Sequence, residues 1–323
     1  MTVYLPAVPG YPLLESALAS AGLTVGDIVH VTEYVTLGSL TLESERAGAL
    51  GDHRVPVSRV PVEAIYGTGA AYAVGVIAHP GGGELLESGD DALRVAGRAV
   101  YLPSVHTTEG EFREQYRWCL ERIAELVAVA GLDMGALVRT VDYTATATRA
   151  EYPRCGRPRK DLLPGPVHPG AAGILVDVPV ARGARVALDA VAATGELTVL
   201  NPGWARYDTL TYQPAVRAGD TIYLAGFGAL DPVTQVALHE GDLAAQTAFV
   251  YASIETVLAE AGATGEHVTA LVEYLTPAAA GSYAATRALR EKHFPNAAVT
   301  SVVCSALLRP EFLLETVPTA VLP

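Results

Sequence analysis

The sequence predicts an α+β protein of three similar units, each a mixed sheet with helices on one face, closed against one another within one chain. Three observations predict it. The stretch Asp27–Thr36, DIVHVTEYVT, returns as ALVRTVDYTA at Ala136–Ala145 and as HVTALVEYLT at His267–Thr276. Each copy is an apolar, β-branched run carrying an acid and then a tyrosine: Glu33-Tyr34, Asp142-Tyr143, Glu273-Tyr274. Each also follows a helix-like segment that ends at a glycine in a short turn, AGLTVG, AGLDMG or AGATGE. A pattern met three times with the same punctuation is a repeat, and it governs how every local feature is read.

The first unit, 1–88, opens with a strand at Thr2–Val8, continues through a helix over Leu13–Ala21 and reaches the repeated strand. A loop with a helical turn at Leu42–Leu50 leads to closing strands at Arg59–Tyr66 and Ala70–Ala78. The glycine-rich, acidic tract His79–Asp91 does not stand between a strand and a helix, so it reads as a linker and not as a phosphate cradle. In the second unit, 89–197, AVYLPSV at Ala99–Val105 echoes the TVYLPAV that opens the first. The helix Glu111–Ala130 sets Tyr116, Leu120, Ile123, Leu126 and Val127 at helical spacing on one face. A basic loop, strands at Gly173–Val180 and Arg185–Ala192, and a connector over Ala193–Thr211 with Trp204 complete that unit. The third, 198–323, opens with TIYLAGF at Thr221–Phe227 and carries helices at Leu243–Ala261 and Ser282–Phe294. Its closing strands are Val299–Leu307 and Phe312–Val321.

Strands interleaved with helices that need one apolar surface give a sheet with helices on one face. The closing strands are apolar at most positions and do not alternate strictly, which predicts that both sheet faces are covered. Three such sheets satisfy this by packing around a pseudo-threefold axis with the helices outside. The internal trimer predicts a monomer, with a dimer as the next alternative.

A formal charge of −13 over 323 residues, with no basic stripe, argues against a nucleic-acid partner. The densest basic patch, Arg154, Arg157, Arg159 and Lys160, reads as a solvated loop or as a cap on a small anion. No apolar run reaches the length of a membrane span, and three cysteines without ligand spacing suit a reducing cytoplasm. His79, His106, His168 and His239 are scattered, so no metal site is expected.

The segment YQPAVRAGDTIYLAGFGAL (Tyr212–Leu230), the repeated strand and LLRPEFLLETV (Leu307–Val317) together resemble the Rid (reactive intermediate deaminase, YjgF-like) proteins. VARGARVALDAVA at Val180–Ala192 stands in the same place in the second unit. The resemblance implies three tandem chorismate-mutase-like units packed as an intramolecular pseudo-trimer, with a pocket at each junction. It also implies hydrolysis of enamine or imine intermediates to ketones without metal or organic cofactor. Carried over residue by residue, the tyrosine before the first strand is Tyr212 and the strand-end glycine that offers backbone contacts is Gly226. The carboxylate-binding arginine falls near Val299 and Ala171, while in the first unit Ser58 holds that slot with Arg59 next to it. The family's last-strand acid falls at Asp189, at Val317 and at Gly75 in the second, third and first units. No unit keeps the full set, so at most one composite pocket is expected.

The residues themselves point to acid–base chemistry on a small carboxylate. An arginine fork binds a carboxylate bidentately, and a buried acid of raised pKa moves a proton. Arg59 lies in an apolar strand with Glu63 four residues on, hence on the same strand face. Asp189 is an acid in the apolar strand RVALDAVA. The candidate set is therefore Asp189, Tyr212 and Glu63 for catalysis, with Arg59 and Gly226 for substrate binding. Glu315, a strand step before the family's acid, is expected to point away from the site. Glu33, Asp142 and Glu273 read as structural, bonding across the unit junctions, and Cys304 as core, since no basic neighbour activates its thiol. Such a site suits a specialised, biosynthetic step. Chorismatases, which look like relatives of this fold and release pyruvate from chorismate, supply a second enzymatic reading. A non-catalytic small-molecule binder is the third.

Overall fold

The computed structural model describes residues 1–36 and 41–323. The loop expected after Thr36 includes residues 37–40, which lie outside those described. In the first sheet are β1 (Val3–Val8), β2 (Ile28–Val35), β3 (Val57–Pro61) and, after the two-residue β4 (Ala64–Ile65), β5 (Tyr72–Ala78). They run in the order β1-β5-β2-β3, while β4 joins another sheet. The second is built from β6 (Glu84–Ser88), β7 (Asp91–Ala96), β8 (Ala99–Tyr101), β9 (Val105–His106), β10 (Leu137–Ala145), β11 (Gly170–Val176) and β12 (Val186–Ala193). The third comprises β13 (Leu197–Leu200), β14 (Ala215–Ala218), β15 (Thr221–Leu224), β16 (Val268–Leu275), β17 (Ala298–Val303) and β19 (Leu314–Val321), with β18 (Ala306–Leu307) leaving for the second.

The repeated strands β2, β10 and β16 are the centre of each sheet. Each pairs in parallel with the next long strand (β3, β11, β17) and antiparallel with the closing one (β5, β12, β19). The registers coincide: Tyr34 faces Ala73, Tyr143 faces Ala187 and Tyr274 faces Glu315. Even the irregularities repeat, with a bulge before His30, Arg139 and Ala270. These inner faces converge, and Tyr34, Tyr143 and Tyr274 are buried in one cluster in which the Tyr143 and Tyr274 hydroxyls meet at 2.9 Å. The pseudo-threefold arrangement follows from this convergence.

Helices cover the outer faces. The longest, α3 (Phe112–Val129), buries Phe112, Tyr116, Leu120, Ile123 and Val127 against the second sheet, an i, i+4 stripe of the expected kind. Its counterparts α1 (Leu14–Ser20) and α5 (Leu243–Ala259) pack on the first and third sheets. All three end at the repeated glycine. Gly22, Gly131 and Gly262 have φ of 71°, 71° and 67°, a left-handed conformation that disfavours residues with a Cβ. The next amide then closes back five residues, Leu23 to Leu18 at 2.9 Å, Leu132 to Val127 at 3.1 Å and Ala263 to Leu258 at 3.0 Å. That is the physical content of the AGL and AGA punctuation.

The repeated acids are structural, but they bond inside their own unit and not across junctions. Glu33 accepts from Tyr11 at 2.6 Å and Arg46 at 2.7 Å, and Glu273 from Tyr251 at 2.7 Å and Arg290 at 3.2 Å. Asp142 accepts from Tyr152 at 2.8 Å and Tyr116 at 3.4 Å, with Arg159 3.1 Å from the Tyr116 hydroxyl. Each buried carboxylate is thus met by phenol donors, and a guanidinium stands beside it, as its burial requires.

Four local expectations differ from the structure. The tract read as a linker contains β6, which forms a hairpin with β7. The second connector likewise contains β13, paired with β14. The basic loop is helical, a 3-10 stretch over Thr146–Cys155 followed by α4 (Gly156–Leu162), and Arg159 within it is buried. The strand expected over Arg59–Tyr66 breaks after Pro61, so Arg59 and Glu63 do not share a strand face. Past the break the Glu63 amide donates to the Val303 carbonyl at 2.7 Å, and β4 pairs with β17.

Candidate functional site: the cleft between the second and third sheets

A cavity of about 350 Å3 opens between the second and third sheets. Its junction is stitched by backbone bonds, Gly226 N–H to the Ala171 carbonyl at 3.0 Å and Gln213 N–H to the Pro169 carbonyl at 3.1 Å. The Gly226 amide is therefore already spent, and it offers no donor to a ligand. Its function is spatial. A methyl placed on Gly226 would land on the Glu315 carboxylate and on Ala172, and one on Gly228 would strike the Phe312 ring. The absent side chains are what let Glu315 reach the cleft.

Glu315 sits on β19 and is 7% exposed. Burial pushes its carboxyl up to about 8, only partly offset by the backbone at Gly173. It is a protonated acid through neutral pH. Asp142, on the opposite wall, is pushed up to about 6 by burial, against the pull of the Tyr152 and Thr144 hydroxyls and Arg159. The two carboxyls are set apart by environment, the condition under which one acts as acid while the other is ionised.

The cationic side of the cleft comes from a 3-10 turn at Ala205–Thr209. Arg206 lies 5.1 Å over the Tyr207 ring and donates from Nη2 to the Tyr212 hydroxyl at 2.8 Å. Tyr212 packs edge-on against Tyr207 at 5.5 Å. The Nε of Arg206 is buried and has no partner among the described residues. Arg159 is committed elsewhere. It donates to Thr211 Oγ1 at 3.1 Å and the Thr211 carbonyl at 2.9 Å, as well as to Tyr116, and so braces the segment that delivers Tyr212.

Of the five candidates named from the sequence, Tyr212 and Gly226 meet in this cleft. Asp189 does not join them; it lines a separate cavity on the pseudo-threefold axis. Arg59 and Glu63 line neither, and the Glu63 carboxylate accepts from the Ser305 hydroxyl at the junction with the third sheet. Glu315 faces the cleft, contrary to expectation, because it stands opposite Tyr274 on the inner face while Val317 stands two residues further along the axis side. Arg206 was missed. The only trace of it in the sequence is the cation set between two aromatics in WARY, inside what reads as a connector. Cys304 is core as expected: fully buried, its thiol pushed up to about 12 by burial.

Fold and cleft together define a small-molecule enzyme or binding protein. Residues 206–322 match the family model described as Endoribonuclease L-PSP, so the Rid-like resemblance of the third unit holds. The whole chain is similar in fold to a chorismatase, with a TM-score of 0.67 at 14% identity over 91% of this chain and 93% of that one. A member of the YjgF/YER057c/UK114 family from Mycobacterium tuberculosis matches 39% of this chain and 100% of its own, at 25% identity and a TM-score of 0.33. A Rid-family protein from Yersinia pestis covers 39% and 100% at 21% identity and a TM-score of 0.34. No curated protein sequence matches the chain. No helix among the described residues is long and apolar enough to cross a membrane.

Proposed function

We propose that the protein is a cofactor-independent enzyme that hydrolyses a small carboxylate bearing an enamine or imine, in the cleft between the second and third sheets. The observation that carries this reading is a buried Glu315, its carboxyl pushed up to about 8 by burial, sharing one cavity with Arg206 and Tyr212. An enamine conjugated to a carboxylate is protonated at its β-carbon, and Glu315 is the group with a proton to give at neutral pH. Loss of that proton leaves a carboxylate that polarises water, which adds to the iminium carbon. The amine then departs as ammonia and a keto acid remains. Arg206, through its unpartnered Nε, holds the substrate carboxylate, and the Tyr212 hydroxyl orients the same end.

The second reading, a chorismatase-like hydrolase, is favoured by the likeness in fold along the whole chain. It needs the same first step. Protonation of the methylene of an enol ether, followed by water addition, releases pyruvate and an alcohol where the enamine releases ammonia. In either case the internal trimer acts as a monomer in a reducing cytoplasm, where three buried thiols stay free. The test is turnover of 2-aminoacrylate generated in place and of chorismate, each followed by pyruvate release. Activity on one and loss of it in Arg206→Ala support the corresponding reading. If the protein binds small carboxylates in the cleft but turns over neither compound, the enzymatic reading fails and the binder stands.

A further inference from the structure

The second cavity, of about 130 Å3, lies on the pseudo-threefold axis and takes no part in the cleft chemistry. Its walls are the same positions taken three times. Just past the bulge in β2, β10 and β16 come His30, Arg139 and Ala270, and four residues on come Tyr34, Tyr143 and Tyr274. Across the sheets, opposite Thr32, Val141 and Val272, stand Gly75, Asp189 and Val317. A bulge re-aims the side chain that follows it, and here three of them aim at one space.

The tyrosines keep the threefold repeat, and the other polar residues break it. Where the third sheet supplies Ala270 and Val317, the first and second supply His30, Arg139 and Asp189. Arg139 is held to the third sheet, donating to Thr319 Oγ1 at 2.8 Å and lying 5.7 Å over the Tyr223 ring. Ser58 joins the remaining two: its Oγ is 3.1 Å from His30 Nε2 and bonds Asp189, which the Tyr143 hydroxyl also bonds. Asp189 Oδ1 and His30 Nδ1 are then buried without a partner among the described residues. In the tautomer with the proton on Nε2, His30 Nδ1 is an acceptor, so two orphaned acceptors face one aromatic-walled space. Native cores seldom leave such atoms unmet, because each forfeits its hydration for nothing.

We propose that the axial cavity is a second ligand site, taking an uncharged single-ring molecule with two hydroxyl or amino hydrogens, one donated to Asp189 and one to His30. The volume limits the ligand to one ring, being slightly under the roughly 150 Å3 of a cavity that holds benzene. The tyrosine rings supply the apolar walls for the ring itself. An uncharged ligand fits because the site already disfavours charge: burial pushes the Asp189 carboxyl up to about 7. The site stands on its own geometry and does not depend on the reaction assigned to the cleft.

Catechol is the probe, titrated calorimetrically into the intact chain and soaked into its crystals. The expected result is saturable one-to-one binding, with catechol on the axis between Asp189 and His30 in the soaked crystal. Phenol, with a single donor, should bind several-fold more weakly. Asp189→Ala should weaken catechol at least tenfold, and Ala270→Phe, which fills the cavity, should abolish binding, while Glu315→Gln leaves it unchanged. Absence of saturable binding to the unaltered protein, water alone on the axis of the soaked crystal, or catechol seated in the cleft would each overturn the proposal. The soak needs no variant, so a substitution that fails to fold does not shelter the idea.

Discussion

Replacing Glu315 by glutamine keeps the shape of the side chain and removes its ability to transfer a proton. In the wild type the carboxyl titrates at about 8 against an ordinary 4.5. Between those values the folded protein holds a proton that the unfolded chain has released, so stability falls as pH rises from about 4.5 to about 8 and is level beyond. At about 1.4 kcal/mol for each pH unit crossed, the loss is on the order of 4–5 kcal/mol for this buried group. Glutamine carries no such proton. The two proteins should therefore unfold at similar denaturant at pH 4, while at pH 9 the variant is the more stable by a few kcal/mol. Activity should move the other way. Wild-type kcat/KM should hold through neutral pH and drop tenfold per pH unit above about 8, and the variant should be slower by roughly 10²–10⁴ at pH 7. Urea melts at pH 4, 6 and 9, with pyruvate release across the same range, measure both. Parallel stability profiles, or undiminished turnover in Glu315→Gln, would refute the assignment of Glu315 as the protonated acid.

Other substitutions test the supporting structure. Gly226→Ala puts a methyl where the Glu315 carboxylate lies. It should cost about 1–3 kcal/mol in denaturant unfolding and lower kcat more than it raises KM. Arg206→Lys keeps the charge but loses the planar fork, so KM for a carboxylate substrate should rise by roughly 10-fold or more with a smaller change in kcat. At the axis, Tyr274→Phe removes the hydroxyl that the Tyr143 hydroxyl meets at 2.9 Å. Each single phenylalanine variant should cost about 1–3 kcal/mol, and the double variant less than their sum; strict additivity in thermal unfolding would show that the hydroxyls are not coupled.

How much could be read from the letters alone depends on how local each signal is. The triplication was legible because strand periodicity and the left-handed glycine after each helix act over a few residues, and Gly22, Gly131 and Gly262 mark each copy alike. The placement of Tyr212 and Gly226 in one cleft was legible for the same reason, both lying beside a strand with a recognisable motif, but not the bond that occupies the Gly226 amide. Glu315 was not. Alternation puts it on the same strand face as Val317, but which stretch of that face opens on the cleft is settled only by the pairing of Tyr274 with Glu315. Asp189 stood out as an acid in an apolar strand, but the same register sends it to the axis. The pairing of Arg59 with Glu63 assumed an unbroken strand. Pro61 was the warning, since a residue without an N–H suits the end of a strand better than its middle. Arg206 owes its place to a 3-10 turn within a connector, where no periodicity points.

The two short strands that cross between sheets have a consequence for how the molecule comes apart. β4 borrows a place beside β17, and β18 one beside β11, so the first unit extends the third sheet's hydrogen-bond ladder and the third unit extends the second's. No module can then melt without exposing an edge of its neighbour. Such long-range ladders are slow to assemble, and they tie the whole polypeptide to one cooperative loss of structure, a fate that three beads on a string would escape.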